Sequence, residues 1–116
     1  MQVRINDNIF NVKTLIDRKS KSIGMMGKRF DSTFDGLLFL MGGDKQSFWM
    51  KNTLINLDMV FLNKNYYIIG FYKNAKAESV NIINAPDNTT MVLELNGGLV
   101  DKLKIKIGDK YIISNK

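Results

Sequence analysis

Clusters of turn-forming residues recur at short intervals along this chain and restrict it to short secondary-structure elements. They include the Asn-Asp-Asn sequence at residues 6–8, the Asn-Lys-Asn sequence at 63–65 and the Ile-Gly-Asp sequence at 107–109. Asn, Asp and Gly tolerate the backbone conformations that tight turns require. The stretches between the clusters are either apolar or alternately apolar and polar, which is typical of β-strands. The chain therefore favours a sheet of many short strands.

Two segments interrupt this pattern with helical spacing. Residues 16–27 predict a short helix that begins at Asp17 or Ser20 and ends at Gly27. A second short helix is predicted at residues 99–103. The predicted strands are a hairpin within residues 2–15 and the segments 36–41, 46–53, 57–62, 66–72, 79–83, 91–95 and 110–113.

The predicted fold class is α+β, with a mainly antiparallel, β-barrel-like sheet of short strands and two short helices at its ends. We expect the sheet to close or nearly close, because many short strands would otherwise leave exposed edges. With 116 residues, the chain is expected to form a single domain over residues 1–116. A domain of this size can bury a core without disulfides.

The composition removes several classes of chemistry. The chain has no Cys and no His, which excludes disulfides, thiol nucleophiles and an imidazole base, and makes a zinc site improbable. We therefore expect no metal and no cofactor, and the absence of a recognisable catalytic set favours a role other than catalysis. There is no apolar signal segment and no apolar run approaching the roughly 20 residues of a membrane helix. The expected location is the cytoplasm, or else a virion or an infected host cell.

The run at residues 48–58 combines the only Trp with several polar groups. If this run is a strand, alternation places Trp49 and Lys51 on one face, where an indole and an ammonium group can hold a polar or anionic ligand. Asn52 and Asp58 would complete such a binding site. The alternative is architectural: Trp49 packs under a loop, Asn52 and Thr53 fix a bend through bonds from side chain to backbone, and Asp58 pairs with Lys51.

Two further pairs of residues are candidates for the same site. Lys28 and Arg29 follow the predicted helix end and could clamp an anion, or could simply interact with the helix C-terminal dipole. Glu94 and Asn96 share one face of a predicted strand by alternation. Glu94 could act as a general acid or base or, alternatively, pair with a cation such as Lys51.

Five sequence blocks, taken together and in order, resemble the domain-of-unknown-function 192 family. The resemblance implies a small mixed β-barrel fold with short helices, and no established enzymatic activity. It implies relatives in bacteria, archaea and some tailed phages, many of them secreted. The blocks are Gly-Met-Met-Gly-Lys at 24–28, Gly-Leu-Leu-Phe at 36–39, the run at 48–58, Val-Leu-Glu-Leu-Asn at 92–96 and Ile-Lys-Ile-Gly-Asp at 105–109.

The chain departs from the family pattern at three places. The family usually has Arg where Lys28 stands and Pro where Asn56 stands, and its secreted members often carry a Cys pair in the loop matching residues 75–88. The missing signal and cysteines suggest an intracellular branch. Lys28 lacks the planar fork of Arg, so two-pronged binding of a carboxylate there would depend on Arg29.

The favoured function is a non-catalytic binding module for a small polar or anionic ligand or for a protein partner. One alternative is a structural or accessory interaction protein associated with a phage particle. Another is weak nucleic-acid binding, because the net charge is +6 and a basic chain attracts polyanions. No recognised nucleic-acid motif supports the last alternative. A carboxylate-dependent enzyme would require Asp58 and Glu94 to line one cleft.

Overall fold

The computed structural model describes residues 1–41 and 47–115. The N-terminal hairpin, the strand at 57–62 and both helices confirm the sequence prediction, although several boundaries move. The strands are β1 Gln2–Ile5, β2 Asn8–Leu15, β3 Gly36–Leu40, β4 Ser47–Phe48, β5 Leu57–Leu62, β6 Ile68–Ala75, β7 Ile83–Asn84, β8 Met91–Asn96 and β9 Tyr111–Ser114. The helices are α1 Arg18–Ile23 and α2 Leu99–Lys102.

Seven strands form the main sheet in the order β6-β5-β8-β3-β2-β1-β9, and β4 pairs with β7 in a small separate sheet. The described pairs are antiparallel except β2 and β3, which run parallel. The sheet is therefore mixed. No sequence pattern indicated the parallel pair, which requires a crossover connection. Residues 16–35, including α1, supply that crossover.

The main sheet curls into a half-barrel whose two edge strands meet at one end. The Ile68 amide donates to the Asp109 carbonyl at 2.9 Å, and the Tyr111 amide donates to the Tyr66 carbonyl at 3.0 Å. An isolated bridge between Tyr67 and Lys110 lies between these bonds. The barrel-like prediction is thus broadly consistent with a mostly β structure that carries two short helices.

The central strands β3, β5 and β8 are apolar on both faces because each face packs against its own hydrophobic cluster. Strands buried on both faces read as continuous apolar runs rather than as alternating ones. The inner cluster includes Leu38, Val60, Leu62, Leu93 and Leu95 from these strands. The outer cluster includes Leu37, Phe39, Leu57, Met59, Phe61 and Val92, with Met25 and Met50 from the covering segments.

Several predicted elements are wrong in extent. The predicted strand at 46–53 is limited to Ser47–Phe48 among the described residues, and the one at 79–83 to Ile83–Asn84. In each segment strand pairing extends over only two residues, and loop contacts fix the rest of the backbone. Tertiary contacts therefore override the longer strand that the alternating pattern predicts. The first helix ends at Ile23 rather than Gly27, because Gly24 adopts φ +48° and closes it. The Gly-Gly pair at 42–43, which the sequence predicts to end the strand at 36–41, lies outside the described residues.

Candidate functional site

Residues 49–53 form an arch across the outer face of the main sheet instead of continuing β4 as a strand. Loop contacts hold the arch: the Met50 amide donates to the Ser79 carbonyl at 3.0 Å, and the Glu78 amide donates to the Thr53 carbonyl at 3.0 Å. Asn52 makes the bend in the left-handed region, with φ +60°, a conformation that Asn tolerates better than most residues. The arch buries Met50 and leaves Trp49 43% exposed.

A pocket of about 190 Å³ lies between this arch, α1 and the outer face of the sheet. The Phe48 ring packs edge-on against Phe39 at 5.4 Å between centroids and stiffens one wall. α1 starts at this position because the Asp17 carboxylate accepts the Ser20 amide at 2.7 Å. The lining residues are Lys21–Met26, Phe39, Ser47, Phe48, Trp49, Thr53, Leu57 and Glu94.

Glu94 is the acidic group among the described lining residues of this pocket, and its neighbours on the adjacent strands are apolar. Its neighbours across the sheet are Leu37 on β3 and Met59 on β5, and its side chain is 4% exposed. No other described residue donates a hydrogen bond to its carboxyl group or forms an ion pair with it. Burial raises the pKa of Glu94 from 4.5 to about 8, because desolvation penalises the charged form.

The raised pKa sets the chemical character of the pocket near neutral pH. A protonated carboxylic acid is a hydrogen-bond donor that keeps acceptor capacity. Glu94 is then mostly neutral, and it offers a donor to anything that enters. Because the carboxyl group opens on the pocket, a ligand or water can accept this hydrogen bond.

Cationic groups lie on the α1 side of the pocket. The Lys21 ammonium lines it and donates to the Leu40 carbonyl at 2.8 Å. A neighbouring depression of about 200 Å³ is lined by Arg18 together with four residues of the pocket: Lys21, Ser22, Ser47 and Phe48. The entrance beside α1 is therefore basic, whereas the floor carries an acid that is mostly neutral.

The structure brings together only some of the predicted site residues. Trp49 and Glu94 line the same pocket, whereas Lys51 and Asn52 are exposed on the outer side of the arch. The Lys51 ammonium lies 5.3 Å from the centre of the Trp49 ring, which is within the range of a cation–π contact.

Lys28 and Arg29 lie beside the arch but do not line the pocket. Met26 pairs with Thr53 in an antiparallel bridge, and the Gly27 amide donates to the Asn52 carbonyl at 2.9 Å. Both cations are exposed. The Lys28 ammonium donates to the Gly24 carbonyl at 3.3 Å, so it does interact with the end of α1.

Asp58 has a structural environment that differs from that of Glu94. Alternation along β5 places its side chain with Val60, on the inner face of the sheet, so the two carboxyl groups do not share a cleft. Asp58 is fully buried and accepts the amides of Asn74 at 2.8 Å, Gly98 at 3.0 Å and Val100 at 2.8 Å. The predicted pairing with Lys51 is absent. Asn96, at the end of β8, is exposed.

Sequence reasoning identified Trp49 but did not assign the other pocket residues of α1 and the arch to a binding site. Lys21 and Ser22 come from the short helix, and Thr53 comes from the end of the arch, where it is 4% exposed. Helical spacing identified α1, but nothing in the sequence showed that it lies beside β3, where the Lys21 ammonium donates to the Leu40 carbonyl. Thr53 lies within the 48–58 run, and this position is the one sequence feature that could have identified it as a pocket residue.

No group of three acidic, His or Cys side chains in residues 1–41 and 47–115 is arranged to hold a metal ion. In that same part of the chain, no helix has the length and apolar character needed to cross a membrane.

The fold and the pocket define a small mixed-β protein with a buried acid beneath a covering arch. Residues 1–113 match the model of the domain-of-unknown-function 192 family, DUF192, which is described as "Uncharacterized ACR". The chain belongs to this family, as the sequence resemblance predicted. A search of curated proteins finds no match.

Two solved structures are similar over almost the whole chain. One is a protein of unknown function from Novosphingobium aromaticivorans DSM 12444, with 29% identity, a TM-score of 0.89, and coverage of 97% of this chain and 84% of that chain. The other, from Sinorhizobium meliloti 1021, is described as a "putative transcription regulator". It has 29% identity, a TM-score of 0.84, and coverage of 96% of this chain and 89% of that chain.

Proposed function

We propose that this protein binds a small polar ligand, neutral or anionic, in the pocket beneath the arch. The observation that carries the proposal is the Glu94 carboxyl group, which is 4% exposed and faces a pocket without a hydrogen-bond partner in the described chain. Buried polar side chains of folded proteins are almost always hydrogen-bonded. An unpaired one at the floor of a pocket is suited to a ligand.

The volume and the charges narrow the class of ligand. A cavity of about 150 Å³ holds a molecule of benzene size, so this pocket of about 190 Å³ suits a compact metabolite or the end of a larger one. Lys21 lines the pocket and Arg18 lies just outside it, which disfavours a cation. A carbonyl, hydroxyl or carboxylate oxygen would accept from protonated Glu94.

Trp49 supplies both a wall and a reporter for this binding. It lines the pocket and is the only Trp of the chain. Trp49 is 43% exposed, so a bound ligand would exclude solvent from its indole ring. The proposed role requires no bond-making step.

The experiment is a screen of small carboxylates, amides and polyols by Trp49 fluorescence, followed by thermal melting. We expect at least one compound to shift both signals and to bind less tightly above about pH 8, where Glu94 loses its proton. Glu94→Ala should abolish the response, whereas Glu78→Gln at an exposed position should leave it unchanged. A full screen without a hit, or a hit that Glu94→Ala still binds, would contradict the proposal.

Nucleic-acid binding is a second candidate, supported by the net charge of +6 and the description of the Sinorhizobium relative. Such binding rests on phosphate contacts and weakens steeply with salt. A gel shift with duplex and single-stranded DNA at low and physiological salt tests it. Failure to retard either probe at low salt would remove this candidate.

A further inference from the structure

A second concavity, an open groove of about 750 Å³, lies where β6 and β9 approach each other. One wall is the turn at residues 64–67, and the other is residues 110–113 of the last strand. Met91 contributes to the lining and packs partly buried against the inner cluster. None of the groove residues lines the Glu94 pocket, so this surface is independent of the proposed ligand site.

The edge of β9 in this groove presents unpaired backbone. The Tyr111 amide donates to the Tyr66 carbonyl, so it points away from β1, which pairs with β9 on the other side. Amides two residues apart on a strand point in the same direction. The Ile113 amide and carbonyl therefore also point away from β1, and no other described residue hydrogen-bonds to them.

The opposite wall is held in place before any partner arrives. The Asn63 side-chain oxygen accepts the amides of Asn65 and Tyr67, each at 3.0 Å. The Tyr111 hydroxyl donates to the Asn63 carbonyl at 2.7 Å. These bonds hold Tyr66 at φ +70°, a conformation that is unfavourable for a bulky residue. Tyr66 is 61% exposed as a result. A wall fixed in this way lowers the entropy cost of binding.

The charges of the groove indicate the chemistry of its occupant. Lys64 and Lys110 line it, and no acidic residue is among its described lining residues. The Lys110 ammonium lies 5.7 Å from the centre of the Tyr67 ring. A second copy of this chain would bring another +6 of net charge, which repels at low salt. An acidic partner is attracted instead.

We propose that the groove binds an extended acidic segment of a partner protein, which adds as a strand to the free edge of β9. Exposed edges are templates for this mode of recognition, in which main-chain bonds supply affinity and side-chain pockets supply specificity. The segment would bond to the Ile113 amide and carbonyl. Its carboxylates would face Lys64 and Lys110, and an apolar side chain would rest on Met91.

The test begins with selection of a random displayed peptide library on the intact protein. We expect the selected peptides to be enriched in Asp and Glu and to shift and protect the Ile113 amide in NMR spectra. Lys64→Glu combined with Lys110→Glu should weaken binding by tenfold or more, and Lys28→Glu with Lys51→Glu serves as the matched control. Methylation of alternate amides of the peptide should also weaken its binding.

Two variants at Ile113 separate the backbone bond from side-chain packing. Ile113→Pro removes the amide that points away from β1 and breaks no hydrogen bond to β1. Ile113→Ala keeps that amide and shortens only the side chain. Melting curves verify that both variants fold. Binding that is lost in the proline variant and retained in the alanine variant supports strand addition. The proposal is overturned if no peptide is selected or the selected peptides lack acidic enrichment. It is equally overturned if they leave the Ile113 amide unperturbed, or if DNA or self-association occupies the groove instead.

Discussion

Replacement of Glu94 by Gln should stabilise this protein at alkaline pH. The folded protein holds the Glu94 proton up to about pH 8, whereas the unfolded chain releases it near 4.5. The folded state therefore binds more protons between these values, and its stability falls as the pH rises through this window. Gln has nearly the same shape and no titrating proton, so the variant should lack this loss.

The size of the effect follows from the two pKa values. Integrating the proton linkage from about pH 5 to about pH 9 gives a relative loss of roughly 4 kcal/mol for the parent protein. Most of it should be complete by about pH 8, where Glu94 itself ionises in the fold. A difference of this size corresponds to roughly 10–20 °C in melting temperature for a domain of this length.

The assay is urea or thermal unfolding at a series of pH values, with Glu94→Gln compared to the parent protein. The window is well suited because the chain has no His, so few other groups titrate within it. Glu78→Gln is the matched control: it makes the same chemical change at an exposed position and should run parallel to the parent. Identical pH dependence of the parent and Glu94→Gln would refute the reasoning about the buried acid.

Three further substitutions test other parts of the fold through the free energy of unfolding in urea. Asp58→Ala should cost about 3 kcal/mol or more, because three backbone amides lose the carboxylate that accepts from them; a loss below about 1 kcal/mol would contradict its structural role. Gly36→Ala should cost about 1–3 kcal/mol, since the added Cβ would lie 3.0 Å from Val12 and 3.1 Å from Leu93; a neutral effect would show that these side chains give way. Lys73→Ala should cost less than about 1 kcal/mol, because its ion pair with Asp101 is exposed; a larger loss would contradict this.

Sequence patterns predicted the elements that depend on local physics. The turn at residues 6–8 and the apolar run of β5 were identified because turn chemistry and burial leave direct marks in the sequence. The arch was wrongly predicted as a strand because a strand would also bury Met50 and leave Trp49 partly exposed. The backbone of the arch follows a different path from that of a strand. The bond to the Ser79 carbonyl and the bend at Asn52 determine this path, and the Ser79 contact is non-local.

The candidate site shows the same division between local and non-local information. Trp49 and Glu94 were named from the sequence, and the fold brings both to one pocket. Their joint placement depends on the register of β8 against its neighbours and on the crossover that carries α1. Local periodicity predicts neither this register nor the crossover. A strand with apolar residues on both faces does not alternate, so its pattern does not indicate how it pairs with its neighbours. Lys21 was missed for this reason.

The two buried carboxyl groups of the main sheet show why residue type alone cannot assign a function. Asp58 and Glu94 lie on adjacent strands, and each is less than 5% exposed. Asp58 accepts three backbone amides and joins β5 to β6 and to the start of α2. Glu94 has apolar neighbours on the adjacent strands and a pocket before it. A buried acid with a purely structural role is expected to accept hydrogen bonds from the protein, as Asp58 does. An unpaired acid that lines a pocket is therefore a position where the structure gives a reason to look for a ligand.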